Sequence, residues 1–228
     1  MMIQVKICGI TVLEDARICA EAGADLIGLN FYRKSPRTIE LDAARALCAA
    51  LRSEFGSRCP VLVGLFVNEV VGRISMTMDK VGLDYAQLSG DESVDMLREL
   101  RGIAYKSIRP RSHGEALDDA RYFSPGAPTD VRIPSLLVDA FNPQLYGGTG
   151  SQAPAEVALA VKVETPRLML AGGLTPENVA ERCAAIGPWG VDVASGVEGD
   201  TPGRKDAEKV RAFIAAAKKQ EKSTTTTG

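Results

Sequence analysis

An α/β fold, a single (β/α)8 TIM barrel, is what the sequence predicts, and three observations predict it. Short apolar runs alternate with amphipathic segments along a chain of 228 residues, and eight successive βαβ units are what closes a parallel barrel. The length suits one such barrel, which typically needs about 250 residues. The glycine clusters fall late, around 147–150, 172–173 and 196–203. A doubly wound open sheet would carry its glycine-rich loop after the first strand.

The expected strands cover 3–8, 25–31, 61–67, 83–88, 103–108, 135–139, 167–171 and 190–194. Between them helical patterns occupy 13–21, 41–55, 93–101, 176–185 and 206–219. Met76 and Met78 read as the packing face of a further helix, and His113, beside Gly114, as a surface residue at a helix start. No linker or shift in composition divides the chain, so residues 1–219 are expected to form one domain. Residues 220–228, ending STTTTG, read as a disordered tail.

Strand parity then sorts the side chains, because successive residues face opposite sides of a sheet. In the first strand Ile3, Val5 and Ile7 share the face that must pack on helices, which turns Lys6 and Cys8 into the barrel. In the sixth, Leu136 and Val138 oppose Ser135, Leu137 and Asp139. In the eighth, Val191 and Val193 oppose Gly190, Asp192 and Ala194. Cys8, Asp139 and Asp192 are therefore expected to converge near the upper rim, where a polar group is costly unless paired or functional. Asn30 and Gln87 point inward by the same rule, as structural or as binding groups.

Composition excludes several classes. A net charge of −2 without a basic stripe predicts no nucleic-acid partner. No apolar run approaches the roughly 20 residues of a membrane span, and MMIQVKICGI lacks the pattern of a signal peptide. The five cysteines are scattered and never spaced CxxC, which argues against disulfides or a thiolate zinc site and for a cytoplasmic protein. With one histidine, His113, no multi-histidine metal site can be built.

AGGLTPENV (171–179) and ASGVEG (194–199) follow the seventh and eighth strands. In this fold those two loops frequently hold a phosphate, because glycines let amides approach an anion and a helix N-terminus adds its dipole. Gly172, Gly173, Ser195 and Gly196 are the expected donors. GGTG (147–150), after the sixth strand, adds Gly148 as a third contributor. A phosphorylated small molecule is the expected ligand.

KICGIT (6–11), GADLIGLNFYRKSPRTI (23–39), QLSGDE (87–92), LLVDAFNPQLYGGTG (136–150) and LAGGLTPENV with GVDVASGVEGDTPGRKD (170–206) together resemble the phosphoribosylanthranilate isomerase family of tryptophan biosynthesis. The matches keep the family's order from residue 3 to about 214. The resemblance implies an Amadori rearrangement of a phosphosugar substrate without metal or coenzyme; separately, the chain is expected to be a monomer or homodimer. It implies that the cysteine of KICG, Cys8, is the base and the aspartate of LLVDA, Asp139, the acid. The arginine of the SPR segment, Arg37, would meet the substrate carboxylate.

Read without the resemblance, Cys8 fits an inert core position best, Asp139 a loop cap as well as an acid, and Arg37 by default a solvated surface site. A cysteine base needs a thiolate, favoured by nearby positive charge, and Lys6 on the same face is the candidate for lowering its pKa. Asp192 is placed either to hold a sugar hydroxyl or to pair with Lys6. Asp139, ending an apolar run, is placed for desolvation, which favours a carboxylic acid that donates a proton. An arginine grips a carboxylate bidentately as a lysine does not.

Two departures from the family stand out. Ser89 occupies a position that usually carries histidine, and SQAPAEV follows GGTG where a lysine and a Phe-Asp-Trp run are common. Neither touches Cys8, Asp139 or Arg37. The rival readings are a histidine-pathway aminoaldose-phosphate isomerase, whose first strand carries an aspartate instead of cysteine, and a barrel that binds a phosphorylated metabolite without turnover. The RKSPRT loop is long and charged enough to serve as a lid.

Overall fold

A computed structural model describes residues 2–139 and 155–219. GGTG with Gly148, and the tail at 220–228, lie outside the described residues. Eight parallel strands close a barrel in chain order, with the eighth pairing back to the first. They are β1 (Gln4–Cys8), β2 (Leu26–Asn30), β3 (Val61–Phe66), β4 (Tyr85–Leu88), β5 (Ala104–Ile108), β6 (Leu136–Val138), β7 (Leu168–Leu170) and β8 (Gly190–Val193). Each falls inside its expected range. The helices are α1 (Leu13–Glu21), α2 (Leu41–Phe55), α3 (Val71–Val81), α4 (Val94–Glu99), α5 (His113–Phe123), α6 (Ala155–Glu164), α7 (Val179–Ile186) and α8 (Ala207–Lys218).

The amphipathic period explains why the helices lie where they do. In α2, Ala44, Leu47, Cys48 and Leu51 are buried, the i, i+3, i+4, i+7 stripe of a helix packed on a sheet. Each fully buried leucine there contributes about 2 kcal/mol of transfer free energy. Asp206 caps α8 by accepting from Lys209 N at 2.9 Å, and Ser112 caps α5 by accepting from Glu115 N at 3.2 Å, each satisfying an otherwise orphaned amide. His113 opens α5 on the surface, as expected.

Three details correct the sequence reading. Helix α4 is shorter than 93–101 because Arg101, at φ +49°, and Gly102, at φ +82°, turn the chain out of helical geometry. Helix α7 starts at Val179 rather than at 176, because Asn178 Oδ1 takes the Thr175 amide and turns that stretch into a loop. Met78 packs in the core but Met76 is 44% exposed, so the two methionines, two residues apart, do not share a face.

Two apolar layers follow from the strand parity. Val5, Ile7, Leu136, Val138, Val191 and Val193 belong to the layer between sheet and helices. Leu26, Val63, Tyr105, Leu137, Met169 and Trp189 fill the barrel interior. Lys6 and Asp192 are buried with that interior set, at the level where it opens toward the strand ends. Among the described residues no helix is long and apolar enough to cross a membrane.

Candidate active site

The C-terminal ends of the strands open into a cavity lined by Cys8, Asn30, Arg37, Gln87, Ser89, Ser107, Arg109, Asp139 and Asp192, among others. A second pocket adjoins it, lined by Gly172, Gly173, Ser195 and Gly196 and sharing Asp139 and Asp192 with the first. All sequence-derived candidates among the described residues are thus gathered at one mouth, where enzymes of this fold place their chemistry.

Cys8 ends β1, where the amides of Gly9 and Ile10 both donate to Gly28 O at 3.0 Å. Gly28, its neighbour on β2, is small for a reason. A methyl group there would stand 2.8 Å from Cys8 Sγ and 3.1 Å from Lys6 Nζ, so thiol and ammonium lie within about 6 Å of each other over its bare Cα. Lys6 Nζ donates to Asp192 Oδ1 at 2.9 Å, so the pairing with Lys6 is made, while the same carboxylate also borders the cavity and the adjoining pocket. Burial alone would lower the Lys6 pKa, but Asp192, with Cys8 and Tyr105, holds it above its ordinary value.

For Cys8 the expectation of a lowered pKa is corrected. Burial raises the thiol above its ordinary value and outweighs the opposing pull of Lys6, while Asp192 adds to the rise. Lys6 acts in the expected direction, yet the desolvation of a fully enclosed thiolate is the larger effect. The resting group is a thiol, and its conjugate base, when formed, is a strong one.

Asp139 follows β6 with its amide donating to Ile108 O at 3.0 Å, and it is half-buried. Arg37 sits in the loop after β2. Asn30 organises that loop, donating through Nδ2 to Ser35 Oγ at 3.1 Å and accepting from Tyr32 N at 2.8 Å, while Arg37 N donates to the same Ser35 Oγ at 3.1 Å. Arg37 is not a solvated surface residue. Its Nε and Nη2 donate to the two carboxylate oxygens of Glu198 at 2.7 and 2.8 Å.

Ser89 Oγ accepts from Gln87 Nε2 at 3.0 Å, and Gln87 Oε1 accepts from Tyr105 Oη at 2.8 Å. This buried chain fixes the wall of the cavity above β4 and β5. On the other side, Gly172 and Gly173 adopt φ +89° and +58°, conformations that suit glycine, and Asn178 Nδ2 donates to Gly173 O at 2.8 Å to hold the turn. Sequence reasoning missed Glu198, Lys205, Ser35 and Arg109. Their only signal is burial or a cavity-facing position in the folded chain.

The family model for N-(5'-phosphoribosyl)anthranilate (PRA) isomerase matches residues 5–216. The N-(5'-phosphoribosyl)anthranilate isomerase of Geobacter sp. (strain M21) is 44% identical over 218 residues, covering 96% of this chain and 99% of the relative. Among solved structures, phosphoribosyl anthranilate isomerase from Thermotoga maritima superposes with a TM-score of 0.82 at 34% identity, covering 95% of this chain and 99% of that one. A phosphoribosyl anthranilate isomerase solved in complex with reduced 1-(o-carboxyphenylamino)-1-deoxyribulose 5-phosphate gives 0.78 at 34% identity, with 95% and 99% covered. The chain belongs to the phosphoribosylanthranilate isomerase family.

Proposed function

We propose that the chain converts N-(5-phospho-β-D-ribosyl)anthranilate to 1-(2-carboxyphenylamino)-1-deoxy-D-ribulose 5-phosphate, the isomerisation step of tryptophan biosynthesis, with Cys8 as base and Asp139 as acid. The observation that carries this is the shared lining: Asp139 and Asp192 border both the cavity holding Cys8 and Arg37 and the pocket of Gly172, Gly173, Ser195 and Gly196. A ligand with a phosphate at one end and a carboxylate at the other would span the two.

The chemistry is an internal redox change, C2′ being oxidised as C1′ is reduced, so its balance calls for no coenzyme. Asp139 gives its proton to the ring oxygen, the bond from that oxygen to C1′ breaks, and a cationic Schiff base remains. Cys8, its thiol proton released to solvent, takes the C2′ proton as the thiolate, and the electron pair neutralises the iminium to give an enolamine. Protonation at C1′ and tautomerisation then yield the ketone. The positive charge of the Schiff base develops beside C2′, where it favours the thiolate at the moment a base is needed. That is how a thiol whose resting pKa lies high serves as the base.

The backbone amides around Gly172, Gly173, Ser195 and Gly196 would bind the phosphate, with Gly148 proposed as a further donor, and Arg37 would take the anthranilate carboxylate. The five free thiols suit a cytoplasmic enzyme, working as a monomer or homodimer. The barrel domain spans 1–219. The test is loss of phosphoribosylanthranilate fluorescence on adding the protein. Turnover is expected, and its absence would favour a barrel that binds a phosphorylated metabolite without converting it.

A further inference from the structure

The carboxylate of Glu198 is unusual for a loop residue in being 6% exposed. It stands immediately after the short turn Ser195–Val197, which follows β8. Its Oε1 accepts from Arg37 Nε at 2.7 Å, Gly203 N at 3.0 Å and Lys205 Nζ at 3.1 Å, and its Oε2 accepts from Arg37 Nη2 at 2.8 Å. Lys205 Nζ also donates to Ala194 O at 2.9 Å, so the cluster is anchored to the end of β8. Burial would raise the Glu198 pKa, but Arg37 and Lys205 hold it below the ordinary carboxylate value. The carboxylate is therefore ionised at neutral pH.

Two consequences follow for Arg37. Its Nε–Nη2 edge is fully engaged by Glu198, and among the described residues no acceptor takes Nη1. Its stem is fixed as well, since a methyl group on Gly9 would stand 2.7 Å from Arg37 Cδ, which places the side chain against the residue next to Cys8. The charge count also matters. Two cations, Arg37 and Lys205, surround one carboxylate, so Glu198 does not cancel the cluster's positive charge, and Arg37 is its member that lines the cavity.

We propose that Glu198 is the positioning residue for the carboxylate clamp. It holds one edge of Arg37 so that Nη1 points to the substrate carboxylate, and it ties that clamp to the loop whose amides bind the phosphate. Substrate recognition at its two ends then runs through a single turn of backbone, from Ser195 and Gly196 to Glu198. Without Glu198 the guanidinium would lose its fixed orientation and would meet the carboxylate in many geometries instead of one. The inference rests on the isomerase reading and names a residue that serves it.

The test uses two reduced product analogues, one with the ring carboxylate and one with hydrogen in its place, bound to the purified protein and measured by calorimetry. The wild type should prefer the carboxylated analogue. Glu198→Gln should cut that preference by about tenfold or more, one charge-assisted hydrogen bond's worth, while affinity for the carboxylate-free analogue stays within about threefold of the wild type. A residue with a merely structural role would weaken both analogues equally, and that result overturns the proposal. So does a preference that increases, which would mean that Glu198 repels the substrate.

Should Glu198→Gln fail to fold, Glu198→Asp keeps the charge beside Lys205 but falls one methylene short of Arg37, and the same selective loss is expected. Arg37→Lys should reduce the preference too, and the Arg37→Lys/Glu198→Gln pair should be no worse than Arg37→Lys alone. Multiplying losses in the pair would contradict action through Arg37. A wild type that binds neither analogue fails at an earlier point, the isomerase reading itself.

Discussion

Replacing Lys6 with methionine should raise the Cys8 pKa still further, and the size of the effect follows from the geometry. Both groups crowd the same bare face of Gly28, within about 6 Å of each other. At an effective dielectric of about 20, a unit charge at about 6 Å is worth roughly 3 kcal/mol, or about two pKa units. Removing Lys6 alone also strands the Asp192 carboxylate, at a cost of about 3–5 kcal/mol, so Lys6→Met/Asp192→Asn is the companion variant. In that pair a group that raises the thiol pKa is lost together with the one that lowers it, and because Lys6 outweighs Asp192 the shift should remain upward but smaller.

The assay is the rate of Cys8 alkylation by iodoacetamide between pH 6 and 11, read on the Cys8 peptide by mass spectrometry. The midpoint, already above the ordinary thiol value, should rise by about two further units in Lys6→Met, so the two proteins are compared by their rates below it. At a fixed pH below it, the rate should fall only about tenfold, because a more basic thiolate is also more nucleophilic, with a Brønsted slope of about 0.5. A profile that overlays the wild type would refute the claim that Lys6 supports the Cys8 thiolate.

Two further predictions come from other parts of the molecule. Gly196→Ala would drive a methyl group into the carbonyl oxygen of Leu174, a backbone atom that cannot swing aside. The strain of about 1–3 kcal/mol should appear as a raised KM and as weaker inhibition by inorganic phosphate; an unchanged phosphate inhibition constant would separate this loop from phosphate binding. Burial pushes the Cys19 and Cys48 thiols up to about 12 and Cys183 to about 11. The folded chain keeps these protons where the unfolded chain has lost them, so stability is full below the ordinary thiol pKa of about 8.5 and falls as pH rises toward those values, by up to about 1.4 kcal/mol per pH unit for each thiol. Urea unfolding of Cys19→Ala between pH 8 and 10.5 should show a shallower decline than the wild type; parallel declines would argue against this origin.

Much of the barrel was legible because its strands obey a period of two. That period alone turned Lys6, Cys8, Asp139 and Asp192 to the interior, and the folded chain has them there. The weighing of Lys6 against burial at Cys8 was not legible, since it depends on how completely the thiol is enclosed. Arg37 was found only through the resemblance, because nothing in the residues around it distinguishes a clamp from a solvated loop. Glu198 was beyond reach for a plainer reason: its partner on the β2 loop is 161 residues away, and loop contacts leave no periodic trace. Helix α6 escaped for the opposite reason. Its apolar residues are spread round the helix, Leu159 and Val163 remaining exposed, so no amphipathic stripe marks it. The ends of α4 and α7 went astray where turn chemistry at Arg101–Gly102 and Asn178 overrode helical pattern.

The central claim is that one thiol and one carboxyl group at this mouth move the protons of the isomerisation. A single-turnover experiment isolates that step: enzyme in excess over phosphoribosylanthranilate, with the fluorescence decay followed for wild type, Cys8→Ala and Asp139→Asn. General acid and base groups each contribute about 10²–10⁴-fold, so the decay should slow by at least about 100-fold in each variant while both still bind the reduced product analogue. Wild-type decay rates in Cys8→Ala would contradict the account.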